Sequence, residues 1–376
     1  MASTYIKAGA HPPSLAREWG DVDPVKDPRW ARHWHALAPF FSEKGYTLFA
    51  ARTHGLYSIP RSPPPPASAP DPFGLYESRE NGHQPKFPPL KLLYAAQDRC
   101  GRYVVIKLVS KGKEDSNELQ ILRLLQSEPL WSDPSNATIR ILEFLEYDDL
   151  RFAVMPFCDD SLAYPFINIS EYLDFTEQVL RSLSFLHRHL IAHQAAALIG
   201  DIAHENFLIN YLGAIPKTET WDLSARIPRC IKTMPAPEFR STFPVTYWLA
   251  DFDSSVSFSP QTSARERLAT PFQIDREQAA PEQTLGSNHT KYDPFAADVY
   301  QAARLLYALF QDIVPQVPGF LELLQDMSSY NAPSRIPMAE ALDRFLTLRR
   351  DLPDERCSKA CEIELRGYPP IPRKAV

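Results

Sequence analysis

The chain has 376 residues, of which 44% are hydrophobic and 23% charged, enough apolar material for one large domain or two lobes around a sizeable core. Its 46 acidic and 40 basic side chains leave a net charge of −6 with no basic block, which argues against nucleic acid as a main partner. No stretch approaches the ~20 apolar residues of a membrane helix and no apolar signal core comes after Met1, so a chain without membrane contact, intracellular and cytoplasmic, is expected.

In chain order, residues 28–49 carry Trp30, Trp34, Leu37, Phe40, Phe41 and Leu48 at mostly helical spacing, which predicts an amphipathic helix docked on the domain C-terminal to it. Pro60, Pro63 to Pro66, Pro70 and Pro72 then predict an extended linker, because proline lacks a backbone donor and favours polyproline geometry. Apolar runs at 89–95 and 102–109, separated by Gln97-Asp98-Arg99-Cys100-Gly101, read as a hairpin. Residues 115–126 change to helical period, and 141–146 and 151–157 return to strand patterning. A long helix is expected from an N-cap at Ser170, and 296–312, 317–328 and 337–349 are expected to be helical. The five scattered cysteines form neither a disulfide framework nor a zinc pattern and read as reduced thiols, and the sequons at Asn136, Asn168 and Asn288 mean little without a secretory signal.

Several charged residues stand where phosphate chemistry needs them. Lys107 is placed at the end of a predicted strand, and Glu118 comes eleven residues later on the next helix, an arrangement in which an acid can fix a phosphate-binding cation. Asp201 and Asn206 are five positions apart before the apolar run Phe207-Leu208-Ile209, and Asp251 closes the run Tyr247-Trp248-Leu249-Ala250, where a carboxylate suits a hard cation. Glu282 lies in Ala280-Pro281-Glu282, Asp298 opens an apolar helix, and Arg335 precedes another and offers itself as a partner for Glu282.

Taken in this order, Lys107, Glu118, Asp201, Asn206, Asp251, Ala280-Pro281-Glu282, Asp298 and Arg335 resemble the protein-kinase signature set over residues 90–345, and the Trp-rich N-terminus, proline linker, short Lys107-to-Glu118 spacing and Phe243-Pro244-Val245-Thr246-Tyr247-Trp248 lead-in are similar to a group of divergent fungal kinase-like proteins. The resemblance implies an α+β, two-lobed fold: an N-terminal helical extension (1–58), a Pro-rich linker (59–88), a small β-rich lobe (89–157), a larger helical lobe (158–349) and a tail (350–376). It implies ATP and Mg²⁺ as cofactors and a protein substrate or partner. Lys107 would bind the phosphates with Glu118 positioning it, Asp201 would accept the hydroxyl proton, and Asn206 and Asp251 would hold the metal. Met155 would be the gatekeeper, with Phe157 and Cys158 in the hinge that takes the adenine edge. Glu282 with Arg335 would be a structural ion pair, and Asp298 would brace the catalytic loop.

The chain also departs from the pattern. No G-x-G-x-x-G precedes Lys107, Ala203 stands where Ser/Thr kinases carry a lysine, and Asp253 replaces the glycine of Asp-Phe-Gly. The family's His-Arg-Asp is matched either by Ile199-Gly200-Asp201 or, with 195–200 read as an insertion, by His193-Gln194 joined to Asp201. Either way the arginine is absent, which gives switching by a loop phosphate no support. The expected reaction is phosphoryl transfer from ATP to a Ser or Thr hydroxyl. The rivals are a pseudokinase that binds nucleotide or serves as a scaffold, and a small-molecule kinase.

Overall fold

The computed structural model describes residues 31–51, 57–58, 76–78, 92–162, 166–194, 206–213, 240, 244–271, 279–284, 291–360 and 370–373. The chain is mixed α+β and divides into two units; of the described residues the first holds 31–51, 57–58, 92–116 and 141–157, and the second holds 76–78, 117–140 and everything from Cys158 onward. The Pro-rich stretch, Asp201, Ala203 and the 195–200 stretch lie outside the described residues.

The first unit is built on a five-stranded antiparallel sheet in the order β1-β5-β6-β8-β7, with β1 Thr47–Leu48, β5 Leu93–Gln97, β6 Tyr103–Lys111, β7 Glu143–Tyr147 and β8 Leu150–Pro156. A two-stranded ribbon, β2 (Ala50–Ala51) with β3 (Tyr57–Ser58), belongs to the same unit. The β5–β6 turn forms because Asp98 Oδ1 accepts from the backbone N–H of Cys100 (2.8 Å) and Arg102 (2.9 Å), and because Gly101 takes a φ of 77°.

The aromatic N-terminal segment docks on this sheet, but as two helices rather than one, α1 (Arg32–Ala36) and α2 (Ala38–Lys44), with Leu48 in β1. Leu37 (ψ 2°) breaks the helical backbone just before Pro39, and Gly45, in the left-handed region at φ 94°, stops the second helix. Trp34 and Phe41 are fully buried, and the Trp34 ring lies 5.3 Å from Tyr94 and 5.8 Å from Phe152. These contacts, with Phe41 on Phe152 at 5.1 Å, make the helical extension part of this unit's core.

The second unit holds α3 (Asn117–Leu125), α4 (Ile169–Arg188), α5 (Pro294–Phe310), α6 (Phe320–Met327), α7 (Met338–Arg350) and α8 (Asp354–Cys357). Its strands are short: β9 (Asp159–Asp160), β11 (Phe207–Ile209) and β13 (Tyr247–Leu249) form one antiparallel sheet, β10 (Ile191–Ala192) pairs with β14 (Val256–Ser257), and β4 (Tyr76–Ser78) pairs in parallel with β12 (Tyr211–Gly213). Residues 117–140, expected within the 89–157 lobe, group here instead. The Asn117 side-chain amide donates to Ser255 O, Ile139 N donates to Leu249 O and Leu249 N to Ala137 O, both at 2.8 Å.

Helix α4 is the 20-residue centre of the second unit, burying Tyr172, Phe175, Val179, Leu183 and Leu186 at helical spacing. Its N-cap is Asn168, two residues before the expected Ser170: Asn168 Oδ1 accepts from Glu171 N (3.1 Å), and the Glu171 carboxylate accepts from Ile167 N (2.6 Å). Asn168→Ala is therefore expected to cost about 1 kcal/mol, read in urea titration as a lower midpoint at unchanged slope. The sequon at Asn136 is also structural, since that buried side chain donates to Leu125 O and Leu130 O and accepts from Thr138. Cys100, Cys158 and Cys357 are free thiols, and no described helix is long and apolar enough to cross a membrane.

Candidate functional site

In the first unit, Lys107 sits in the middle of β6 rather than at a strand end, because the strand continues through a bulge between Leu108 and Ser110 to Lys111. It faces Leu93 on one side and Ala153 on the other and is 5% exposed, an uncommon burial for a lysine. Met155 is buried on β8 opposite Val105, and Phe157, also buried, donates its N–H to Tyr103 O at 3.1 Å. In the second unit, Glu118 is buried in the first turn of α3 and Cys158 is half-buried.

Of the remaining described site residues, Asn206, Asp251 and Asp298 gather in the second unit around one end of the β11–β13 ladder. The pairing Phe207↔Leu249 puts Asn206 and Ala250 at the same end, where Ala250 N donates to Asn206 O at 2.9 Å. Asp251 comes immediately after, exposed and in the left-handed region at φ 63°. His193 Nε2 donates to Ala250 O at 3.0 Å, and the carbonyl leaves only one tautomer for that bond, the proton on Nε2. The imidazole is fully buried and packs T-shaped on Phe252 at 5.1 Å, and burial pushes its pKa below the ordinary histidine value.

Asp298 ties this end of the ladder to α5. Its carboxylate has no exposed surface and accepts three N–H bonds: from His193 N (2.8 Å), from Gln194 N (3.0 Å) and from His187 Nε2 (3.0 Å). Three donors give a dry carboxylate the partners it needs, and they fix the backbone at the point where the chain leaves β10. Leu190 (φ 58°), Gln194 (φ 33°) and Asp251 (φ 63°) are three of the four non-glycine residues at positive φ among the described residues. Such conformations persist only where the surroundings impose them, and they cluster at functional sites.

Glu282 and Arg335 form a bidentate buried pair, Nη1 to Oε1 at 2.6 Å and Nη2 to Oε2 at 2.8 Å. The guanidinium also donates to Ala296 O and Ser329 O, and lies 4.8 Å over the Tyr300 ring. Sequence patterning singled out the charged groups; the residues it missed are neutral. Tyr292, Gln283 and Gln301 line the buried side of the same region. The one signal for them was Gln301, polar in an apolar helix and three residues, hence one helical face, from Asp298.

As metal donors, Asn206 and Asp251 offer an amide oxygen and a carboxylate, the hard ligands that suit Mg²⁺. Among the described residues no group of three His, Cys, Asp or Glu side chains converges as a metal site. In comparisons with known proteins, no family model and no curated protein matches the chain.

Proposed function

We propose that the chain is a protein-kinase-type phosphotransferase, with a two-lobed arrangement of its β-rich and helical units, moving the γ-phosphoryl group of ATP to a Ser or Thr hydroxyl. One observation carries the reading: Asp298 holds the amides of His193 and Gln194 while His193 holds the carbonyl next to Asp251. The stretch leading to Asp201 and the stretch bearing Asp251 are thereby tied to one helix. That is the support a base and a metal ligand need if they are to act on one bond. The same bonds favour the alignment in which 195–200 are inserted and His193-Gln194 precede Asp201.

In this reading Lys107 holds the α- and β-phosphates, Asp201 orients the acceptor hydroxyl and takes its proton, and Asn206 and Asp251 would hold Mg²⁺. The ion, when bound, offsets charge on the phosphate oxygens. The buried Glu282–Arg335 pair favours a protein acceptor over a small molecule, because it anchors the segment around 280 against α5 and the approach to α7.

The test is thermal shift with Mg-ATP beside transfer of radiolabelled phosphate, with Lys107→Met as control. Expected are a Mg-dependent rise in midpoint and label incorporation, both lost in the control. Binding without transfer would turn the assignment to a nucleotide-binding scaffold, and neither binding nor transfer would remove it.

A further inference from the structure

The loop that carries Asp251 is closed on a single residue. His193 Nε2 donates to Ala250 O at 3.0 Å, immediately before Asp251, and Ser255 Oγ donates to His193 O at 2.6 Å from the other end of the same stretch. Residues 250–255 therefore have both ends bonded to His193. His193 is itself anchored, because its backbone N–H donates to the Asp298 carboxylate at 2.8 Å.

The strand register explains why a side chain makes the second bond. Antiparallel β10 and β14 pair Ile191 with Ser257 and Ala192 with Val256, so the next step of the ladder would set His193 against Ser255. The ladder stops there because the Ser255 backbone is committed elsewhere. Its N–H donates to Phe252 O at 3.2 Å, which closes the turn after Asp251, and its carbonyl accepts from the Asn117 side-chain amide at the start of α3. The hydroxyl supplies the donor that the ladder no longer offers. Both residues are out of water, His193 completely and Ser255 at 1% exposure, so an alanine at 255 would fit the space but leave the His193 carbonyl without that bond in a dry surrounding.

We propose that Ser255 is a positioning residue for the metal-bearing turn: its hydroxyl fixes the far end of the 250–255 loop on His193, so that Asp251 is already in place when Mg²⁺ arrives. The functional half rests on the kinase reading above, whereas the closure of the loop does not. With the hydroxyl removed, the loop keeps its His193–Ala250 bond but gains freedom around Asp251. A loop in place only about one-tenth of the time binds its ion about tenfold more weakly.

The experiment uses the full chain as parent, Ser255→Ala and Asn168→Ala, the last being a control that lowers stability at the α4 cap with no bond to His193. Amide hydrogen exchange reads the closure. The His193 and Gln194 amides should exchange about tenfold faster in Ser255→Ala, with the Ala341 amide of α7 exchanging as in the parent. Unchanged rates at 193 and 194, or an equal rise at Ala341, would overturn the closure.

Calorimetric titration with ATP, once in excess Mg²⁺ and once in EDTA, reads the positioning. Affinity for Mg-ATP should fall about tenfold in Ser255→Ala while affinity for metal-free ATP stays as in the parent, a split that a general loss of stability does not produce. Asn168→Ala should keep both parent values. Parent affinity for Mg-ATP in Ser255→Ala, an equal loss with and without the metal, or the same loss in the control would each overturn the positioning role. A parent that binds ATP in neither condition would remove the kinase reading and the functional half with it, and the exchange rates would still decide the closure.

Discussion

Glu282→Ala is expected to lower the stability of the second unit by about 3–5 kcal/mol, because it removes both carboxylate oxygens from an arginine that cannot reach water. Arg335 is 1% exposed at its side chain, and its remaining bonds go to the carbonyls of Ala296 and Ser329. Two carbonyl dipoles do not offset a full buried charge, so the chain must either open to hydrate the guanidinium or keep the charge unpaired. For a unit of this size the loss corresponds to a thermal midpoint lower on the order of 10 °C. Glu282→Gln is the informative companion, since it keeps one acceptor for Arg335 but no charge, and it should fall between parent and alanine variant. The opposite double change, Glu282→Met with Arg335→Met, should recover much of the loss, because replacing both members of a buried pair by apolar groups of similar shape removes the desolvation cost along with the attraction. A single alanine variant that melts with the parent would mean the pair contributes nothing to stability.

Much of the fold was legible because the deciding signals are local. Helices α4 to α7 bury residues at helical spacing, and the strands β5, β6 and β8 are apolar runs set off by turn residues such as Asp98 and Gly101. Boundaries shift where two local signals compete. Asn168 and Ser170 are both good caps, and the choice falls to Asn168 because the Glu171 carboxylate reaches Ile167 N. Leu37 and Pro39 interrupt an aromatic pattern whose period alone suggests one continuous helix. The membership of 117–140 was not legible at all, since it depends on Thr138 bridging to Leu249, a partner remote in the chain. At the site, the charged residues stood out by type, and Glu282 with Arg335 was expected from the resemblance before any geometry. The hydrogen bonds that join Gln194, Tyr292, Gln283 and Gln301 were not legible beyond the polar Gln301 in its apolar helix, because neutral side chains far apart in the chain have neither a period nor a characteristic spacing.

Asp201→Asn is expected to reduce turnover by about 10²–10⁴ with little change in Mg-ATP affinity. The described residues nearest to Asp201 in the chain, Gln194 and Asn206, are held in place. On one side Gln194 N donates to Asp298 at 3.0 Å, and on the other Asn206 O accepts from Ala250 N at 2.9 Å. Asp201 is five positions before Asn206, close enough in sequence for its carboxylate to serve the same reaction as the oxygens of Asn206 and Asp251. An asparagine keeps the size and one acceptor oxygen but cannot take a proton from the attacking hydroxyl, so the loss falls on the chemical step and not on nucleotide binding. Lys107→Met supplies the contrast: it removes the cation that meets the phosphates, and so should weaken nucleotide binding as well as turnover. Single-turnover transfer and equilibrium Mg-ATP binding, measured on the same preparations, separate the two effects. If Asp201→Asn transfers at the parent rate, the base is elsewhere and both alignments, each of which ends on Asp201, are wrong. If it loses nucleotide affinity as Lys107→Met does, Asp201 belongs with the groups that hold ATP, and its assignment to the acceptor hydroxyl fails.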